Sequence, residues 1–214
     1  MSNTLKLSVL MPFVAMSLVV ASYPAAAAPA ADNEAESSVR DLDAYYEKPG
    51  IDLSQYNAIM LDSLGIEDAR VLPPPWVTST ADSPEKWQLT ESDTQWLQKS
   101  YSETMKAEIS DNGGYPIVDQ PGKGVLILDV TIVYLMPYAR KEEAVETRSF
   151  GTMLVQAQLR DGVSMELLAV YEGKQEVGSG YQQNTRLNNE NRLRELFKVW
   201  GKRMRGIMDA KRLD

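Results

Sequence analysis

The chain has 214 residues, carries a net charge of −8 at pH 7, and contains neither cysteine nor histidine. The missing residue types exclude disulfides, thiolate nucleophiles, imidazole bases and zinc sites built from Cys or His. The acidic balance argues against general nucleic-acid binding, which relies on Lys and Arg to neutralise phosphates. With 43% hydrophobic and 24% charged residues, the composition is that of an ordinary globular protein.

The first 30 residues have the organisation of a secretory signal peptide. Lys6 gives a weakly positive start, residues 7–20 form an apolar core, and the triplets 25–27 and 28–30 both fit a small-x-small cleavage site. The apolar core is shorter than the roughly 20 residues that span a bilayer. The sequence therefore predicts export to the periplasm through a cleavable leader at 1–30, with no membrane span in the mature chain. An uncleaved N-terminal anchor is the alternative, and the lack of cysteine excludes lipid anchoring through a lipobox.

After the leader, residues 31–48 are rich in Ala, Glu, Asp and Ser, which is typical of a flexible acidic segment. Three consecutive prolines at 73–75 predict an extended surface loop, with a polyproline docking ligand as the alternative. Neither the pair Asp41 and Asp43 nor the sequence DSPE at 82–85 has the ligand spacing of a calcium loop, so we predict no metal site.

The segment 90–110 has the pattern of an amphipathic helix. Thr90 and Asp93 resemble a capping box, and Gly113 with Gly114 should stop the helix. The apolar residues recur at every fourth position and form one stripe that a sheet can cover, consisting of Leu97, Tyr101, Met105 and Ile109.

A second amphipathic helix is predicted near the C-terminus, after a cap at Asn188 or Asn189. Its apolar stripe consists of Leu193, Leu196, Phe197, Trp200, Met204, Ile207 and Met208. Its other face is basic and consists of Arg192, Arg194, Lys198, Lys202, Arg203 and Arg205. This basic face predicts contact with an anionic surface or an acidic envelope protein, or else a solvated surface neutralised by the protein's own acids.

Apolar runs predict five strands, near 56–60, 115–118, 124–137, 153–159 and 167–171. Asp161 and Gly162 supply the turn of a hairpin between the last two strands, and the charged residues 140–148 are interpreted as an exposed loop. Because the connections after the first helix are too short for parallel crossovers, the sheet should be largely antiparallel. The expected fold over 49–214 is a single α+β domain, in which a mostly antiparallel sheet of about five strands carries two helices on one face.

Asp129 is the one acid in the apolar stretch 124–137. In a strand it shares a face with Thr131, whereas the opposite face is apolar from Leu126 to Tyr134. A carboxylate among buried apolar residues would carry a large desolvation cost. We therefore interpret Asp129 as a solvated or rim carboxylate rather than a catalytic group.

Two pairs of phrases point to a family: LTESDTQWLQKSYSETMKAEI before GGYPIVDQPGKGVLILDVTI, and VQAQLRDGVSMELLAVYEGKQ before RLRELFKVWGKRMRGIMD. Together they resemble the bacterial family catalogued as domain of unknown function 3313, over residues 51–209. The phrases PGKGVL and LRD are the more specific parts. The resemblance implies a secreted or outer-membrane-attached envelope protein without an established activity. Many members have a lipobox cysteine, which this chain lacks, and the family pattern supplies no catalytic residue.

These observations predict an exported cell-envelope protein that acts as a non-enzymatic accessory or binding module. The alternative is an envelope hydrolase that uses paired carboxylates, with Asp129, Asp161 and Glu172 as candidates. Asp161 is better explained by the turn and Glu172 as an outward-facing strand residue, and no spacing shows two of these acids converging. We therefore predict no catalytic, cofactor-binding or metal-binding residue.

Overall fold

A computed structural model describes residues 43–74, 76–77, 88–141 and 143–210. The leader, Asp41 and the DSPE sequence lie outside the described residues. That part of the chain forms nine strands and two helices: β1 (Asp43–Glu47), β2 (Ala58–Leu61), β3 (Arg70–Val71), α1 (Glu91–Ser110), β4 (Ile117–Val118), β5 (Val125–Pro137), β6 (Glu146–Thr147), β7 (Gly151–Asp161), β8 (Leu167–Glu176), β9 (Gln182–Gln183) and α2 (Arg186–Ala210).

Seven of these strands form one mixed sheet in the order β1-β8-β7-β5-β2-β4, with β3 also paired to β5. The neighbours among β1, β8, β7 and β5 are antiparallel, whereas β2 and β3 run parallel to β5 and β4 runs parallel to β2. The α+β class and the two helices are therefore confirmed. The prediction of a mostly antiparallel sheet of about five strands was wrong.

The lengths of the connections between β2, β4 and β5 explain why this half of the sheet is parallel. Helix α1 has 20 residues and lies between β2 and β4, so the chain is long enough for a parallel crossover. Strand β4 has only two residues and spans about 7 Å. The short connection 119–124 is therefore long enough to return the chain past β2 to the start of β5.

Both helices pack on one face of the sheet, which we call the inner face. The inner residues of β5 are at most 4% exposed, namely Leu126, Leu128, Val130 and Ile132. The predicted stripe of α1 joins the same core, as do the buried apolar residues of α2. The two apolar stripes predicted from periodicity are thus confirmed as the faces that cover the sheet.

Helix α1 begins with the predicted capping box. The Thr90 hydroxyl accepts a hydrogen bond from the Asp93 backbone N–H at 3.3 Å, and the Asp93 carboxylate accepts one from the Thr90 N–H at 2.8 Å. These two bonds satisfy donors that a helix N-terminus otherwise leaves without an intrahelical partner.

Helix α2 begins earlier than the sequence indicated. Thr185, immediately before the helix, accepts a hydrogen bond through Oγ1 from the Asn188 backbone N–H at 3.2 Å. The prediction of a cap at Asn188 or Asn189 was therefore wrong, because both residues already lie inside the first turns. A threonine and an asparagine are both good caps, so composition alone did not separate them.

Two segments that were predicted to be irregular contain strands. Residues 43–47, assigned to the flexible segment 31–48, form β1 and pair with β8. Within the predicted loop 140–148, β6 pairs with β9 in a small second sheet. In both cases the partner strand is far away in sequence, so the local composition could not predict the pairing. In the described part of the chain, no helix has the length and hydropathy needed to cross a bilayer.

Candidate functional site

Asp129 lies on the outer face of the sheet, opposite the helices. Its neighbours in the strand, Leu128 and Val130, are buried in the core, whereas Asp129 is only partly buried. Its carboxylate is 3.5 Å from the Thr131 hydroxyl. Burial of the Asp62 carboxyl group raises its pKa, and the nearby charge of Asp129 raises it further. The prediction that Asp129 occupies the wetter face of the strand is confirmed.

The other two candidate acids have structural partners. Asp161 Oδ1 accepts hydrogen bonds from the backbone N–H groups of Ser164 and Val163, and Oδ2 accepts one from the Tyr56 hydroxyl at 2.9 Å. These contacts, the Ser164 N–H first, lower the pKa of Asp161 to about 2. Glu172 accepts a hydrogen bond from the Gln156 side chain at 3.1 Å. Asp161 is thus the expected turn former.

The structure does not bring Asp129 and Glu172 together as a catalytic pair. Strand β7 lies between them, with Gln158 opposite Asp129 and Gln156 opposite Glu172. Two interstrand spacings of about 4.8 Å each, plus an offset of two residues along the strand, separate their Cα atoms.

Arg192 does not belong to the exposed basic face on which we placed it. It is 5% exposed, and its guanidinium donates to the Thr147 hydroxyl at 3.1 Å, the Thr147 carbonyl at 2.7 Å and the Gly180 carbonyl at 2.6 Å. Burial lowers the pKa of Arg192. Gly178 provides the space, because a Cβ there would lie 2.8 Å from Arg192 Cγ.

Other members of the basic face also make contacts within the protein. Arg194 lies over the Trp96 ring at 5.5 Å, and Lys198 pairs with Glu195 at 2.6 Å. Arg205 donates to the carbonyl of Asp111 at 2.6 Å, just beyond the C-terminus of α1. This basic surface is therefore smaller than the helical spacing suggested, although Lys202 is exposed.

A half-open cavity of about 540 Å³ lies between the first turns of α1 and α2, the end of β5 and the segment formed by residues 139–141 and 143–144. Its apolar lining includes Leu89, Trp96, Leu97, Ile132, Leu135, Phe150, Met153 and Leu193. A cavity of this size with a mostly apolar lining is typical of small-molecule sites. We call it the main cavity.

Four of the charged groups at the rim of the main cavity form two ion pairs. Lys141 forms an ion pair with Asp93, and Arg186 pairs with Glu190 at 2.7 Å. Burial alone would raise the pKa of Asp93, but the hydrogen bonds from Lys141 and Thr90 outweigh this effect and lower it. The rim therefore offers a ligand little uncompensated charge.

A second cavity of about 490 Å³ lies on the other side of the same segment. It shares Arg140 and Glu143 with the main cavity and is otherwise lined by Trp76, Val77, Tyr138, Val145, Glu146, Thr147 and Arg148. The Trp76 and Tyr138 rings meet edge to face, with centroids 5.3 Å apart. We call it the side cavity.

Sequence reasoning missed both cavities because their walls come from segments that are distant along the chain. The one local signal is Trp96 beside Leu97, which widens the apolar stripe of α1 at its N-terminal end. Among the described residues, no group of three or more acidic side chains is arranged to hold a metal ion.

The fold and the cavities define an α+β protein in which two helices cover a mixed sheet and enclose an apolar cavity at one end. The chain belongs to the protein family of unknown function DUF3313, whose model matches residues 33–204. This match confirms the family resemblance carried by the sequence phrases. Among curated proteins, none matches the chain.

Several solved structures are remotely similar. A protein of the DUF330 family from Xanthomonas campestris has 10% identity and a TM-score of 0.42, over 79% of this chain and 93% of that one. PelC from Paraburkholderia phytofirmans, described as a dodecamer, has 9% identity and a TM-score of 0.37, over 75% and 94%. A putative neuraminyllactose-binding hemagglutinin homolog from Helicobacter pylori has 12% identity and a TM-score of 0.30, over 77% and 91%.

Proposed function

We propose that this protein is an exported, non-enzymatic binding module of the cell envelope that holds the aliphatic chain of a small ligand in the main cavity. The observation that carries the proposal is the cavity itself, about 540 Å³ in volume, whose wall contains a cluster of Leu, Ile, Met and aromatic side chains. Burying apolar ligand surface there contributes about 25 cal/mol per Å² removed from water.

The pairing of the rim charges supports an uncharged group inside the main cavity. Asp93 with Lys141 and Arg186 with Glu190 already satisfy each other. A charged group inserted among them would have to displace one of these ion pairs or remain without a partner, at a desolvation cost. An aliphatic chain has no such requirement, and its polar end can stay at the open side.

The carboxylate hydrolase is not favoured. Asp161 is engaged by its turn, β7 separates Asp129 from Glu172, and none of the three acids lines the main or the side cavity. Retaining glycosidases need two carboxyl groups about 5 Å apart and inverting ones about 6.5 to 9.5 Å, on either side of a bound substrate.

Binding can be tested by calorimetric titration of the mature protein with decanol. We expect saturable one-to-one binding with a negative heat-capacity change, which is the mark of buried apolar surface. Ala144 lines the main cavity, so Ala144→Trp should fill part of it and abolish binding. Ala107→Trp is the matched control, because Ala107 is exposed on α1 and lines neither cavity. Equal binding by both variants would contradict the proposed site.

Export is tested separately with the full chain expressed in a bacterium. The two candidate cleavage sites predict a periplasmic protein whose mass corresponds to a start at residue 28 or residue 31. Intact mass measurement of the periplasmic fraction distinguishes the two. A full-length protein held in the inner-membrane fraction would instead establish the uncleaved anchor.

A further inference from the structure

We infer that the ligand is an anionic amphiphile, with its chain in the main cavity and its carboxylate or phosphate group at Arg148 in the side cavity. The inference rests on the proposed function for the chain, and it adds the chemistry of the head group. It follows from the continuity of the two cavities and from the charges that line the second one.

The two cavities are neighbours that share a wall. Arg140 and Glu143 line both of them, so a ligand that fills the main cavity and emerges beside this segment meets the side cavity next. The Glu143 carboxylate accepts a hydrogen bond from the Arg140 backbone N–H at 2.9 Å, which fixes the shared wall.

The acids of the side cavity already have donors, whereas the side chain of one of its cations has no partner among the described residues. Glu143 is held by the Arg140 N–H, and Glu146 accepts a hydrogen bond from the Gln183 side chain at 3.0 Å. Arg148 is exposed and makes no hydrogen bond or ion pair within the described residues. A guanidinium offers planar, paired donors that match the oxygens of a carboxylate or phosphate.

The rest of the side cavity suits the junction between a head group and a chain. Trp76 is 61% exposed at its mouth and packs against Tyr138. The Tyr138 hydroxyl is already bonded to Thr152 at 2.7 Å, so the ring pair presents an apolar surface rather than a free polar group. Exposed apolar surface of this kind commonly marks a binding site.

The test compares ligands that share a ten-carbon chain and differ in head group. Decanol, decanoate and decyl phosphate are titrated at neutral pH and low salt into the mature protein, Arg148→Gln and Arg70→Gln. Arg70 is exposed and lines neither cavity, which makes it the matched control. We expect the wild-type protein to bind at least one of the anionic ligands about tenfold more tightly than decanol, as is typical of hydrogen bonds to a charged group. The two anionic arms identify which head group is preferred.

Arg148→Gln should remove this preference and leave decanol binding unchanged, whereas Arg70→Gln should preserve both. The preference should also weaken at high salt, because an exposed ion pair is screened. If decanol binds but neither anion binds more tightly, or if the preference survives in Arg148→Gln, the inference is overturned and the proposed function stands. If none of the three ligands binds, the proposed function fails and the inference falls with it.

Discussion

Asp161 organises the turn between β7 and β8 with one carboxylate. Its Oδ1 accepts from the backbone N–H groups of Val163 and Ser164 and from the Ser164 hydroxyl. Hydrogen bonds to the charged form favour ionisation, which explains why its pKa falls from 3.8 to about 2. A carboxyl group whose pKa is lower in the folded state stabilises the protein above the unfolded pKa, and this stabilisation is lost as the pH falls through the folded value.

We therefore expect Asp161→Asn to lower the free energy of unfolding at pH 7 by about 1 kcal/mol, allowing for solvent screening. The difference from wild type should narrow as the pH falls from about 4 towards 2, because the wild-type carboxylate is protonated over that range. Urea denaturation at several pH values measures both effects. Asp119→Asn is the control, since Asp119 is exposed and its carboxylate makes no hydrogen bond within the described residues. A difference that is independent of pH would contradict the argument.

Arg192 is a buried cation whose partners are a hydroxyl and two carbonyls rather than a carboxylate. Replacing it by Met keeps much of the apolar stem but leaves the Thr147 and Gly180 carbonyls without these donors. We expect Arg192→Met to reduce the free energy of unfolding by about 1 to 3 kcal/mol, the cost of buried polar groups left unpaired. Arg194→Met, which removes an exposed cation–π contact with Trp96, should cost less than about 1 kcal/mol. Urea denaturation measures both variants. An equal decrease in the free energy of unfolding for Arg192→Met and Arg194→Met would show that the buried hydrogen bonds of Arg192 add no stability.

The crossing of α1 and α2 depends on one glycine. A Cβ at Gly201 would lie 2.6 Å from Glu108 Cβ, whereas a Cβ at Gly206 in the same helix would meet nothing within 4 Å. The intrinsic preference for alanine over glycine in a helix, about 1 kcal/mol, is the same at both positions. The two sites therefore separate helix propensity from helix packing.

Gly206→Ala should raise the free energy of unfolding by about 0.5 to 1 kcal/mol. Gly201→Ala should lower it, because α1 must shift away from α2 to make room, and such overpacking typically costs about 1 to 3 kcal/mol. Thermal and urea denaturation of the two variants check the signs. If both substitutions stabilise the protein, the two helices do not approach as closely as the structure indicates.

The elements that were predicted correctly are those whose cause is local. The stripe and capping box of α1, the alternation along β5 and the turn at Asp161 each depend on residues within a few positions of one another. The pairing of β1 with β8, the parallel register of β2 with β5 and the burial of Arg192 depend on partners far along the chain. No local periodicity encodes them, and the same is true of the cavities.

At the scale of the whole molecule, the domain boundary determines which edge the sheet exposes. Strand β1 covers one side of β8, and Tyr171 on that strand donates a hydrogen bond to the Glu47 carboxylate at 2.8 Å. The backbone N–H of Lys48 adds a bond to the Leu168 carbonyl at 2.8 Å. A domain that began at residue 49 would lose these contacts and leave the apolar strand β8 as a free edge, which is a template for aggregation.

A chain that starts at residue 43 should therefore be more stable than one that starts at residue 49. Each lost hydrogen bond contributes about 0.5 to 1.5 kcal/mol, so the pairing of β1 is a sizeable part of a total stability of about 5 to 15 kcal/mol. Urea denaturation measures the difference, and size-exclusion chromatography should show association only for the shorter chain. Equal stability and a monomeric shorter chain would mean that β1 adds nothing to the domain. The expected result would instead show that the domain includes β1 as its edge strand. The family match, which begins upstream at residue 33, agrees with this boundary.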